Sequence, residues 1–85
     1  MKAQKLQETL YAIEQEHLLM ERVAGWVCYF QGKIEMSSKF GLDHVVNDYQ
    51  ENYQAALELS IRVQENILEL WKIVQSELEK LCEVE

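Results

Sequence analysis

Few side chains in this sequence are of the kinds that do chemistry. Glu14 and His17 stand three residues apart, so a helix would project both from one face. That Glu-x-x-His spacing is the one used by carboxylate-bridged di-metal bundles, which also need two further inward carboxylates and a second Glu-x-x-His pair. No second pair occurs here, so the plainer reading of His17 is a seam histidine that sets helix register or responds to pH. His44 follows Asp43 and reads as a first-turn residue. There is no Ser/His/Asp arrangement, no glycine-rich phosphate loop and no zinc-ligand spacing. The expectation is a protein that is not an enzyme, with no catalytic residues, no metal and no cofactor.

Carboxylates are the most abundant charged groups. The 15 acids against 8 bases give a formal net charge of −7, and the whole excess falls after residue 41. Glu51, Glu58, Glu65 and Glu79 recur at seven or fourteen residues with Lys72 in the same row, and Glu69 lies beside them. On a helix this row is either a solvated back or an acidic face that docks on a basic partner. No basic patch exists to neutralise phosphates, which disfavours nucleic acid as a ligand.

The elements that position these groups follow from periodicity. Ala3, Leu6, Leu10, Ile13, His17, Met20, Ala24, Val27, Gln31 and Ile34 alternate steps of three and four. Leu42, Val46, Tyr49, Tyr53, Ala56, Ser60, Val63, Ile67, Leu70 and Val74 do the same. A sustained repeat of this kind makes one apolar seam per helix and lets two helices lie side by side at a shallow angle. Between the runs, Ser37-Ser38-Lys39-Phe40-Gly41 carries turn chemistry: Gly41 is the natural left-handed residue and Asp43 a candidate cap. The spacing predicts one all-α domain over residues 1–85, a long antiparallel hairpin with a helix at 2–36, a turn at 37–42 and a helix at 43–81. The first helix could be kinked or broken near Gly32, a break that would make three helices.

In that hairpin, neighbours across the turn have numbers summing to about 80, so Cys28 lies level with Asn52 and Cys82 some ~45 Å further along at 1.5 Å per residue. A disulfide needs α-carbons within ~7 Å. Two free thiols are expected, Cys28 in an apolar setting and Cys82 near a helix end. The longest apolar stretch, around Val23 to Phe30, falls short of the ~20 residues that span a bilayer, so no membrane span is expected. Met1 to Lys5 leads into an amphipathic pattern, and the expected location is cytoplasmic, with export without a cleaved signal left open.

More apolar surface is present than one seam can use. Leu18, Leu19, Val23, Trp26, Tyr29 and Phe30 form a second set on the first helix. Val45, Leu59 and Ile73 flank one side of the second helix, and Leu57, Trp71 and Leu78 the other. Exposed patches of that size call for a further layer of helices, most simply a homodimer completing a four-helix bundle, alternatively a heterodimer with another helical protein. The expected partner-binding residues are Leu18, Leu19, Val23, Trp26, Tyr29, Phe30 and Trp71.

Length and architecture resemble the ESX class of small secreted helical hairpins, and more loosely the small helical chaperones of secretion systems. The ESX motifs are not matched: Gly25-Trp26 stands a dozen residues before the turn in place of Trp-x-Gly at it, and Trp71-Lys72-Ile73-Val74-Gln75 lacks the tail acid. No family is assigned on this likeness. The functional expectation is a helical interaction protein (adaptor, secretion-type chaperone or assembly subunit) that packs an apolar helix face against a partner helix. The alternative is an acidic inhibitor or immunity-type protein that blocks a basic site with Glu51, Glu58, Glu65 and Glu69.

Overall fold

In the computed structural model, which describes residues 3–84, two helices account for nearly the whole chain. α1 spans Gln4–Lys39 and α2 spans Asp43–Val84. They run antiparallel as a rod with principal extents of 66 × 14 × 13 Å. α1 passes through Gly25 and Gly32 without interruption, so the broken first helix, and with it a third helix, does not occur. Both helices end three residues beyond the boundaries expected from sequence; Ser37 to Lys39 continue α1 and leave only Phe40, Gly41 and Leu42 as the connection. α1 begins at Gln4, and the expected start at Lys2 lies outside the described residues.

The turn is built by backbone chemistry. Gly41 adopts φ 69°, which is costly for any residue with a Cβ. That conformation lets the Gly41 N–H donate to the Ser38 carbonyl and the Leu42 N–H to the Ser37 carbonyl, each at 3.1 Å. This pair of bonds is the Schellman closure of a helix end. The Leu42 carbonyl then accepts the Val46 N–H at 3.0 Å, so Leu42 holds the N-cap position. Asp43 is the first helical residue and not the cap; it places an acid in the first turn, at the positive end of the α2 dipole.

On α2 the seam is the one expected from sequence except at its start, where Leu42 is exposed at the N-cap: Ala56, Val63 and Val74 are buried, and Val46, Tyr49, Tyr53, Ser60, Ile67 and Leu70 are partly buried. It continues past Val74 to Glu77 and Leu81. Register matches a sum near 80: the Ser60 hydroxyl lies 3.9 Å from Met20 Sδ, and the Phe30 and Tyr49 rings are 6.4 Å apart.

On α1 the seam is rotated from the expected one by roughly 50°, half of a 100° residue step. Leu6, Ile13, Met20, Val27 and Ile34 face α2 as expected, but their companions are Thr9, Glu16, Val23, Phe30 and Ser37. The expected companions Ala3, Leu10, His17, Ala24 and Gln31 are exposed. The rotation buries Val23 and Phe30 where the other choice would bury Ala24 and Gln31, a gain in apolar area removed from water, and in exchange it brings Thr9 and Glu16 inward in place of Leu10 and His17. Thr9 is accommodated because its hydroxyl donates to the Lys5 carbonyl at 2.7 Å. Glu16 is not: its Oε2 is buried without a hydrogen-bond partner.

Candidate functional site

With the seam located, most of the remaining large apolar side chains can be assigned to a side of the rod; Tyr11 and Leu18 lie on the outward back of α1 and Phe40 at the turn. Trp26 is 48% exposed, Tyr29 55%, Met36 56%, Ile61 56%, Leu68 62%, Trp71 46% and Leu78 48%. They fall into two groups on opposite broad sides of the hairpin.

The first side is dominated by α1. Leu19 and Trp26 flank the seam there, with Tyr29 and Met36 one row further out and Leu59 and Ile73 contributed by α2. Tyr29 meets Phe30 edge to face, with centroids 5.4 Å apart and planes at 75°, and Lys33 Nζ sits 5.5 Å above the Tyr29 ring. The basic residues Lys5, Arg22, Lys33, Arg62 and Lys80 all lie in the rows on this side, among Glu8, Asp48, Glu69 and Glu83. Lys5 and Lys80 both reach the mostly buried Glu77 at the seam edge, at 3.6 and 3.4 Å.

The second side is dominated by α2. Leu57, Ile61, Gln64, Leu68, Trp71, Gln75 and Leu78 alternate steps of four and three and so form a second continuous stripe beside the seam. Leu10, His17 and Ala24 of α1, turned out of the seam by the rotation described above, lie across from it. Towards the turn the same side becomes polar, with a depression lined by Gln31, Ile34, Glu35, Gln50, Tyr53 and Gln54.

The seven residues expected to bind a partner therefore do not form one surface. Val23 is fully buried in the hairpin's own seam, and Phe30 is half-buried at its edge. Leu19, Trp26 and Tyr29 share the first side. Leu18, 48% exposed, stands on the outward back of α1, and Trp71 belongs to the opposite side. Sequence reasoning missed Ile61 and Leu68, although their spacing to Leu57 and Trp71 carried the signal.

Glu51, Glu58, Glu65 and Glu69 are all exposed, the first three on the back of α2 and Glu69 in the outer row of the first side, where it pairs with Lys72 of the back row at 3.0 Å. His17 is exposed, not a seam residue, and its neighbour Glu14 is exposed too. Among the described residues no group of three or more His, Cys, Asp or Glu side chains converges as metal ligands would. Cys28 and Cys82 are free thiols; Cys28 is exposed and not in the apolar setting expected of it. No described helix is long and apolar enough to cross a membrane. Comparison of the chain with family models, with curated proteins and with solved structures finds no match.

Proposed function

We propose that this protein is a non-enzymatic helical interaction module, an adaptor, secretion-type chaperone or assembly subunit acting in the cytoplasm, that packs its apolar helix faces against partner helices. The observation that carries this reading is the pair of apolar stripes left exposed although the seam is already filled, with two tryptophans half-exposed on opposite sides. Soluble monomers seldom leave such surfaces bare, and large aromatics concentrate binding energy because they bury much area at little entropic cost. The first partner is a second copy, joined through the side that bears Leu19, Trp26 and Tyr29 to complete a four-helix bundle. Mixed charges on that side allow self-complementary pairing, whereas the carboxylate rows bordering the other side would oppose their own copies.

Light scattering on a sizing column across a dilution series tests this. A dimer that Trp26→Ala shifts to monomer supports the reading. A monodisperse monomer that binds no helical partner sinks it. The alternative, an acidic inhibitor of a basic site, is favoured by the exposed row Glu51, Glu58 and Glu65. Its mark would be binding that collapses on Glu58→Lys with Glu65→Lys and ignores every apolar substitution.

A further inference from the structure

The two broad sides are both apolar, and what separates them is the charge along their borders. On the side of Leu57, Ile61, Leu68, Trp71 and Leu78, the next row outward on α1 carries Glu14 and Glu21, and beyond Ile61 and Leu68 the back row of α2, which also borders the other side, carries Glu58, Glu65 and Glu79. All five carboxylates are exposed. Lys72 stands in the α2 row between Glu65 and Glu79, and makes a solvent-exposed pair with Glu69 at 3.0 Å. A floor that is apolar except for His17, Gln64 and Gln75 thus runs between these carboxylate rows. From Leu57 to Leu78 the floor is about 30 Å long at 1.5 Å per residue, and towards the turn it gives way to Gln50 and Gln54.

We infer that this groove receives an amphipathic helix of about 20 residues whose apolar stripe is flanked by lysine and arginine. The inference rests on the interaction reading above and names the partner of one of its two sides. Apolar side chains of such a helix would cover Ile61, Leu68 and Trp71. Its basic flanks would reach over the rim, since long cationic side chains can lay their methylenes on apolar surface while their heads meet carboxylates. A second copy does not fit this groove, because it would bring acidic rims against acidic rims well within a Debye length of roughly 8–10 Å.

The test uses the full chain and two synthetic peptides of about 20 residues with one shared Leu/Ile stripe, flanked in one by Lys and Arg and in the other by Glu. Binding is read by fluorescence anisotropy at low and high salt. The basic-flanked peptide should bind at least ~10-fold more tightly, and its advantage should shrink as salt rises. Glu58→Lys with Glu65→Lys should reverse the preference. Leu68→Ser, at a position exposed enough to leave the helical circular dichroism unchanged, should weaken binding ~10-fold or more, and Trp26→Ala should not. Equal affinity for both peptides, or loss on Trp26→Ala in place of Leu68→Ser, overturns the inference and leaves the interaction reading standing. So does a dimer that Leu68→Ser dissociates, because a second copy would then fill the groove. Failure of both peptides to bind also overturns it, while the dilution series decides the wider reading separately.

Discussion

The side of the hairpin around Trp26 and the side around Trp71 offer similar apolar material to very different surroundings. Around Trp26 and Tyr29 the charges are mixed, and Lys33 lies over the Tyr29 ring. Around Leu68 and Trp71 the bordering rows are acidic except for Lys72. Burial of apolar area is non-directional and gives affinity without choosing a partner. The charges at the border choose it, through attraction, repulsion and the rate of encounter. The comparison teaches that one two-helix scaffold can address two different partners if the same side-chain chemistry is framed differently.

The comparison breaks most completely if the seam fails, because both sides exist only while the helices stay paired. Val63 is 1% exposed, and Val63→Asp would bury an unpaired charge there. A loss above about 4 kcal/mol is expected, enough to abolish a cooperative thermal transition followed by circular dichroism. An unchanged melt would mean that this seam does not hold the hairpin together.

Separating the sides is the next step. Trp26→Ala should weaken self-association by about 2 kcal/mol, near 30-fold in the dimer dissociation constant by sedimentation, whereas Trp71→Ala should leave that constant unchanged. Equal effects of the two substitutions would erase the distinction between the sides. Gly41→Ala acts on both alike: forcing a Cβ into φ 69° should cost about 1–2 kcal/mol in urea unfolding, with the difference between the two tryptophan variants preserved. If Gly41→Ala is neutral, the turn does not depend on the left-handed conformation.

Glu16 supplies the smallest and opposite effect. Its orphaned Oε2 lies in the seam, so Glu16→Leu should stabilise the hairpin by about 1 kcal/mol and leave both association equilibria where they were. A destabilised variant would show that the carboxylate has a favourable role in the seam.

How much was legible varies along the chain. On α2 the apolar residues concentrate along one side, and the stretch from Val46 to Val74 could be read as the seam without ambiguity. On α1 they are spread around the helix. The row Leu10, His17, Ala24, Gln31 and the row Thr9, Glu16, Val23, Phe30 border Leu6, Ile13 and Met20 about equally well by spacing. Periodicity alone could not choose between them, and every assignment that depended on the choice moved with it. His17 and Gln31 left the seam, Val23 left the partner surface, and Leu10 joined the side of Trp71. The α2 seam runs on to Glu77, an acid that periodicity does not single out and that Lys5 and Lys80 partner at the seam edge.

The sequence by itself determined two long helices, the glycine turn, the register between the helices and the excess of acid on the second. These are local matters of period, backbone conformation and count, and they do not depend on what lies opposite. Only the tertiary structure decided which way α1 faces, and hence which apolar residues are spent inside the hairpin and which are left for partners. That choice is a competition between whole rows of side chains for the same strip of α2, in which Val23 and Phe30 remove from water area that Ala24 and Gln31 could not.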